Sequence, residues 1–278
     1  MKIKIIIDND TLDNNLITEE GFSAYIISDN KKILLDTGEY GNIVSNAKKL
    51  GINLLDLDYI VLSHGHHDHT NGLTELISLY EKNTIPQKQR PIIIAHPEIF
   101  KKRYEGNQYI GSKNSQQELE KHFELNLTTK PIELTPNLTF LGEIPRKNNF
   151  EAQQAIGMIE RNNHLEPDFI NDDTALAYKS SKGLVIISGC SHSGICNIID
   201  YAQKICKEEK IADIIGGLHL MDAKSSLIKK TIEELQKRNI TQIHACHCTG
   251  LEGKELLNNA KNICQTNIGC GFIAEYEN

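Results

Sequence analysis

The stretch Ser63-His64-Gly65-His66-His67-Asp68-His69 decides how the rest of the chain is interpreted. Four of its residues follow the order His-x-His-x-Asp-His and carry imidazole or carboxylate groups, which are protein ligands of zinc, iron and manganese. The apolar, β-branched run 59–62 before it predicts a buried strand, and residues 73–80 after it predict a helix. The motif therefore lies on a strand-to-helix loop, where open α/β sheets place their ligands. A solvated histidine-rich surface loop is the alternative, which the apolar flanks disfavour.

The composition argues against several classes of partner. The chain has 278 residues, with 30 basic and 37 acidic side chains, a net charge of −7 and no basic block. We therefore expect no nucleic acid and no anionic membrane surface as a partner. No apolar run approaches the roughly 20 residues that span a bilayer. The N-terminal run 1–7 is too short for a signal peptide and predicts a first strand instead.

The seven cysteines lie in the C-terminal third of the chain. Their odd number and the lack of CxxC spacing favour reduced thiols over a disulfide framework. We therefore expect a cytoplasmic protein.

The N-terminal half predicts strands followed by helices. Strands are expected at 3–7, 24–28, 32–35 and 91–95, with a helix at 43–50. Asp36 ends the third strand and is expected to orient a metal-bound histidine, with a simple turn residue as the alternative. The polar segment at about 100–130 shows no core of its own, which predicts an insertion or lid within a single domain 1–278.

The C-terminal half alternates strands and helices more clearly. Strands are expected at 138–141, 175–178, 184–187, 211–215, 242–245 and 272–276, and helices at 195–205, 227–235 and from 250 to about 262. Predicted strand ends deliver His, Cys or Asp side chains at four places: 64–69, 190–192, 219 and 246–248. Scattered core histidines would not all fall at the carboxyl ends of strands, so we expect one shared site.

Several motifs together resemble the metallo-β-lactamase-fold superfamily, over essentially the whole chain. They are His64-x-His66-x-Asp68-His69, the preceding Leu35-Asp36-Thr37-Gly38, and the strand–loop–helix order. More particular segments resemble the family of 7,8-dihydropterin-6-methyl-4-(β-D-ribofuranosyl)-aminobenzene-5'-phosphate synthases: Gly142-Glu-Ile-Pro-Arg146, Gly189-Cys-Ser-His192, Gly216-Gly-Leu-His-Leu220 and His247-Cys-Thr-Gly250. The resemblance implies an α/β (α+β) fold, the αββα sandwich of the metallo-β-lactamase type, with two mixed sheets flanked by helices.

The resemblance also implies two divalent metal ions, with zinc expected first and iron, manganese or magnesium as alternatives. His64 and His66 would bind the first ion. Asp68 and His69 would bind the second ion, and His247 would complete its shell.

The chain departs from the superfamily pattern at two places. The usual third-motif histidine is missing from segment 142–146, and Cys190 stands where a bridging aspartate is usual. His192 would replace the missing histidine on the first ion, or else form hydrogen bonds at a helix N-terminus. Cys190 is either a thiolate ligand, which would favour zinc or iron over magnesium, or a buried structural cysteine. His219 is either a ligand or a donor to a substrate phosphate.

Three neighbours of these residues are expected to stay outside the metal shell. Cys246 and Cys248 flank His247 and would point away from it on a strand, which predicts packing roles. His67 alternates away from its neighbours, so we expect it not to be a ligand.

The chemistry of such a site predicts an enzyme. Two cations can share a water and lower its pKa, which supplies hydroxide near neutrality. Catalytic roles are expected for Asp68, which would orient this hydroxide, and for His192 and His219. The glycines at 189, 194, 216 and 217 are expected to leave backbone amides free to bind phosphate. The expected partner is a small, phosphorylated molecule, and a homo-oligomer stays open.

Three functions remain open from the sequence. The first is a metal-dependent hydrolase of a small phosphorylated, ester or lactone substrate that uses a metal-bound hydroxide. The second is a transferase like the dihydropterin synthases, in which a diphosphate is displaced. The third is a di-iron redox protein, which is disfavoured because no electron-carrier domain is apparent.

Overall fold

Strands and helices alternate along the chain, and a computed structural model describes them over residues 1–278. The strands are β1 Lys2–Ile7, β2 Ser23–Ser28, β3 Lys31–Leu35, β4 Tyr59–Val61, β5 Ile92–Ala95, β6 Arg103–Glu105, β7 Gln108–Tyr109, β8 Glu124–Leu127, β9 Ile132–Glu133, β10 Leu138–Phe140, β11 Met158–Arg161, β12 His164–Pro167, β13 Ala175–Ser180, β14 Gly183–Ser188, β15 Ile211–Gly217, β16 Gln242–Cys246, β17 Cys264–Gln265 and β18 Ile273–Glu275. The α-helices are α1 Ile43–Lys49, α2 His67–Thr70, α3 Leu73–Lys82, α4 Gln116–Leu119, α5 Ile195–Cys206, α6 Ser225–Lys237 and α7 Gly250–Asn258, and 3₁₀ turns cover Gln87–Gln89 and His247–Thr249. None of the helices combines the length and the hydropathy that crossing a membrane requires.

Two seven-stranded sheets form the centre of the fold. The first has the order β18-β1-β2-β3-β4-β5-β8, antiparallel from β18 to β3 and parallel from β3 to β8. The second has the order β17-β16-β15-β14-β13-β10-β9, parallel from β17 to β14 and antiparallel from β14 to β9. Both sheets are therefore mixed, as the family resemblance implied.

Successive side chains of a strand point to opposite faces of its sheet, and the buried apolar side chains form three clusters. In β3, Leu34 packs with residues of α1 and α3, whereas Ile33 and Leu35 pack with residues of the second sheet. In β14, Ile186 packs with residues of α5, α6 and α7, and its neighbours Val185 and Ile187 face the first sheet. The layers therefore run helices, sheet, sheet, helices, which confirms the predicted αββα sandwich.

A third, four-stranded sheet with the order β12-β11-β6-β7 was not predicted. Its strands are short and largely polar, so they lack the apolar alternation that marks a strand in sequence. The segment predicted as an insertion at about 100–130 supplies β6 and β7 to this sheet, but it also supplies β8, which pairs with β5 at the edge of the first sheet. The lid role and the single domain stay predictions.

The loops after β4, β14, β15 and β16 carry the residues singled out by the sequence motifs. The helix predicted to reach about residue 262 ends at Asn258, four residues earlier than expected.

Candidate metal centre

Asp36 organises the loop that follows β4. Its Oδ1 accepts a hydrogen bond from the Ser63 amide at 2.7 Å, and its Oδ2 accepts one from the Ser63 hydroxyl at 2.6 Å. The same Oδ2 lies 2.7 Å from Nδ1 of His69. A proton on Nδ1 leaves the Nε2 lone pair of His69 free to bind a cation. The contact expected between Asp36 and a motif histidine is therefore present.

Three imidazoles meet in the first cluster, which consists of His64, His66 and His192. Nε2 of His64 lies 3.0 Å from Nδ1 of His66 and 3.1 Å from Nε2 of His192. His64 and His66 come from the loop after β4 in the first sheet, and His192 comes from the loop after β14 in the second sheet. The structure thus brings His192 to the place where the sequence analysis put it, and its role as a ligand stays a prediction.

The second cluster consists of Asp68, His69 and His247. Nε2 of His69 lies 3.2 Å from Nε2 of His247, and Oδ2 of Asp68 lies 3.3 Å and 3.4 Å from these two atoms. Nδ1 of His247 lies 2.7 Å from Oδ1 of Asn9, a partner that the sequence analysis missed because it precedes the motif by more than 200 residues. In both His69 and His247, Nε2 faces the cluster and Nδ1 lies within hydrogen-bond distance of an oxygen acceptor. This arrangement is typical of metal-binding histidines.

The imidazoles of the first cluster are in the protonation state that binding a cation requires. Burial lowers the pKa of His64 and of His192 well below the usual range, and it lowers the pKa of His66 to about 3. All three imidazoles are therefore neutral at physiological pH. Their facing nitrogens lie about 3 Å apart, and lone pairs that converge this closely are stabilised by a positive ion between them.

The second cluster contains an ionised carboxylate. Burial raises the pKa of Asp68, but His69 and His247 outweigh it and hold that pKa well below its ordinary value. Burial likewise lowers the pKa of His69, but the carboxylates of Asp68 and Asp36 outweigh it and raise that pKa. One ionised carboxylate among imidazoles is a donor set that suits zinc, iron or manganese.

Cys190 lies between the two clusters. Its Sγ is within 4.8 Å of ligand atoms from both, including those of His64 and His69 on one side and His247 on another. The structure therefore places Cys190 among the candidate ligands, and it leaves the choice between thiolate ligand and buried cysteine as a prediction.

Cys248 was predicted to point away from His247, and that prediction is wrong. Its Sγ lies within 4.8 Å of a ring nitrogen of His247 and 2.8 Å from Sγ of Cys190. The prediction assumed that the strand continues past Cys246, but β16 ends there and His247–Thr249 form a 3₁₀ turn, so strand alternation no longer applies. Cys246 is buried in the core between the sheets, in the packing role expected for it. Gly250, just after the turn, was the available signal that the strand stops.

His219 lies at the end of β15, beside the first cluster. Its ring centroid is 4.1 Å from that of His192, and its Nδ1 is 3.7 Å from Sγ of Cys190. Together with His192 it lines a cavity of about 380 Å³, whose other walls include Phe150, Gln153 and Lys224. This cavity is large enough for a small organic molecule.

The backbone amides around Gly194 are not free, contrary to the phosphate site expected there. The amides of Cys196 and Asn197, in the first turn of α5, donate to the carboxylate of Glu151 at 3.0 and 3.1 Å. The amide of Ser193 donates to Asp173 at 2.8 Å. Carboxylates of the chain itself therefore occupy the positions that a phosphate would take at this helix N-terminus.

His67 lies outside both clusters, as predicted. Its Nδ1 lies 3.1 Å from Oε1 of Glu39, and its side chain is 21% exposed. Although it sits between two candidate ligands in sequence, it belongs to a separate contact.

Replacing Asp36 with alanine tests whether this carboxylate supports the second cluster. We expect the affinity for metal to fall by about 10- to 100-fold, the usual effect of losing an outer partner of a ligand. Chelator competition measures it. Ser63→Ala is the control for the second ion, because it removes one hydrogen bond to Asp36 and leaves the contact with His69 intact; its loss of the contact with Nδ1 of His64 concerns the first cluster. Equal losses of affinity for the second ion in both variants would show that the His69 contact is unimportant.

Comparison with known proteins agrees with this geometry. The metallo-beta-lactamase superfamily model matches residues 18–202. An uncharacterized protein of Methanocaldococcus jannaschii is 32% identical over 268 residues, covering 96% of this chain and 98% of that protein. The 7,8-dihydropterin-6-methyl-4-(beta-D-ribofuranosyl)-aminobenzene-5'-phosphate synthase of the same organism is 37% identical over 236 residues, covering 81% of this chain and 78% of that enzyme.

Among solved structures, Tm1679, a metal-dependent hydrolase of the beta-lactamase superfamily, has a TM-score of 0.84 at 25% identity and matches over 100% of both chains. Both resemblances inferred from the sequence motifs are thereby confirmed. The family match covers well over half of the chain, and the two relatives from Methanocaldococcus jannaschii match across most of it. This chain belongs to the metallo-β-lactamase superfamily.

Proposed function

We propose that this protein is an enzyme that works with two divalent metal ions, one at the first cluster and one at the second. The observation that carries the proposal is the convergence of five imidazoles and one carboxylate from two different sheets, with their facing atoms 3.0 to 3.4 Å apart. We propose zinc as the native metal, because imidazole, carboxylate and the nearby thiol of Cys190 are all zinc ligands.

The residues of the chain would divide the catalytic work. Two ions at these clusters would supply Lewis acidity and a water of lowered pKa. Asp68, ionised and 14% exposed at its side chain, would accept a hydrogen bond from the attacking water and orient it. His219 would offer a hydrogen bond to a substrate in the cavity that it lines with His192. His192 would hold the first ion at the wall of that cavity.

The reaction that this arrangement supports best is hydrolysis of a small phosphorylated, ester or lactone substrate. A cavity of about 380 Å³ beside the first cluster suits a small molecule. The likeness to a metal-dependent hydrolase over the whole chain supports the same reaction class.

A transferase reaction is the second candidate, and the relative named as a dihydropterin synthase favours it. In that reaction an aryl amine or its ring carbon would attack in place of water, and a diphosphate would leave. The same two clusters would serve, since a diphosphate needs cations as it departs.

A paired substrate screen distinguishes the two reactions. The zinc-loaded protein is assayed with phosphodiesters and lactones, and in parallel with a 7,8-dihydropterin diphosphate plus an aryl amine. We expect turnover in the first arm that persists without any amine. Turnover only with the dihydropterin diphosphate and the aryl amine, with release of diphosphate, would show that the protein is a transferase and not a hydrolase. Loss of all turnover on chelation is expected in both cases, and turnover that survives chelation would refute the metal-dependent mechanism.

A further inference from the structure

The three consecutive residues Asp172, Asp173 and Thr174, just before β13, contact both loops that form the first cluster. Oδ2 of Asp172 accepts a hydrogen bond from the amide of Gly65 at 2.8 Å. Oδ2 of Asp173 accepts one from the amide of Ser193 at 2.8 Å. The amide of Thr174 donates to the carbonyl of Ser63 at 3.0 Å. We call these three residues the acidic bracket.

The two contacted amides are next to the candidate ligands. Gly65 stands between His64 and His66, and Ser193 follows His192. The first pair of histidines comes from the first sheet and the third histidine from the second sheet. The acidic bracket therefore joins the two halves of the first cluster directly, through adjacent side chains of one short segment.

A buried arginine fixes the acidic bracket in turn. Arg103, which is 0% exposed, donates from Nη2 to Asp172 at 2.6 Å and from Nε to Asp168 at 2.9 Å. Its Nη1 hydrogen-bonds to the carbonyl of Ile99, and a side chain on Gly65 would collide with both of these groups. The loop at Gly65 therefore packs directly against Arg103. Removing either partner of the buried ion pair between Arg103 and Asp172 would leave the other charge buried without a counter-charge, which is strongly destabilising.

We propose that Asp172 and Asp173 are positioning residues that set the spacing between the pair His64 and His66 and the facing His192. Rigid placement of ligands in advance of binding raises affinity, because the ion then does not have to order them. The acidic bracket would accordingly control the affinity of the first cluster and leave the second cluster, which it does not touch, unaffected. This inference rests on the proposed metal-binding function.

The chain offers a matched control for Asp172. Both Asp168 and Asp172 are fully buried, and each binds Arg103 with one oxygen and a backbone amide with the other. The amide bound by Asp168 is that of Ile170, which is adjacent in sequence to none of the candidate ligands, whereas the amide bound by Asp172 is that of Gly65, between His64 and His66. An asparagine has one oxygen and one NH2 group, so in Asp168→Asn and in Asp172→Asn one of the two N–H donors faces an NH2 group that cannot accept its hydrogen bond.

The experiment measures zinc affinity by chelator competition and the visible spectrum of the cobalt-substituted protein, together with thermal unfolding of the metal-free protein. We expect Asp172→Asn to lower the affinity of the first cluster for zinc by about 10- to 100-fold and to change the visible spectrum of cobalt bound there. Asp168→Asn should leave the zinc affinity and the cobalt spectrum unchanged, although it should lower the unfolding temperature by about as much as Asp172→Asn does. Equal affinities in the two variants would overturn the inference. A wild-type protein that binds less than one equivalent of metal would instead overturn the proposed function and this inference with it.

Asp173 gives a second test that does not involve Arg103. Asp173→Asn keeps an oxygen that can accept from the Ser193 amide, and Asp173→Ala keeps none. We expect the alanine variant to lower the affinity of the first cluster for zinc and the asparagine variant to keep the wild-type affinity. Unchanged affinity in Asp173→Ala would contradict the role of this residue, even if Asp172→Asn fails to fold.

Discussion

Replacing Asp68 with alanine is expected to lower turnover by about a thousandfold or more, the scale of an acid–base group that also binds a catalytic ion. Asp68 is the carboxylate of the second cluster, and its Oδ2 lies within 3.4 Å of the ring nitrogens of both His69 and His247. Its loss would remove the ligand and the negative charge that we propose for the second ion, and the acceptor that we propose for the attacking water. The rate constant kcat, measured on the substrate that the screen identifies, reports the effect.

The variant Asp68→Asn separates these contributions. It keeps an oxygen of the same size in place but removes the charge and the strong acceptor. We expect metal content close to that of the wild type with kcat still reduced by about 100-fold, within the usual range for a general acid–base group. Turnover that survives Asp68→Ala at the wild-type rate would overturn the proposed mechanism.

Replacing His64 with alanine is expected to remove the first ion. Its Nε2 is the atom that faces both other imidazoles of the first cluster, at 3.0 and 3.1 Å. Without it two imidazoles remain, fewer than the three protein ligands that catalytic zinc sites use. Metal analysis of protein purified without added metal should give about two equivalents for the wild type and about one for the variant.

His67 provides the control for that experiment. It is a histidine of the same motif, but it contacts Glu39 and belongs to neither cluster. His67→Ala should retain the full metal content. The metal-binding proposal would fail if the wild type bound less than one equivalent, or if His64→Ala and His67→Ala bound equal amounts.

The parts of the site that the sequence predicted share one property: their signal is local. The spacing within residues 64–69 is a pattern of near neighbours, and Asp36 precedes a recognisable turn at Gly38. His192 follows a strand that is a continuous buried run, and His247 follows a strand that alternates buried and half-buried residues over most of its length. Because the carboxyl ends of parallel strands meet at one edge of a sheet, these distant positions could be assigned to one site.

The parts that the sequence did not predict depend on contacts that no local pattern reports. Asp172 reaches Gly65 across 107 positions, and Asn9 reaches His247 across 238. Cys248 was misplaced because a single turn after β16 changes the direction of its side chain. The third sheet was missed because strands of two to four polar residues resemble loops until they pair.

Each cluster takes its members from both sheets, so an ion bound at either would act as a crosslink between the two layers of the sandwich. A ligand that binds the folded chain and not the unfolded one adds about 2.7 kcal/mol of stability at a hundredfold excess over its Kd. The unfolding temperature should therefore rise with free zinc and fall with chelator. Thermal unfolding thus becomes a measure of metal occupancy that needs no knowledge of the substrate.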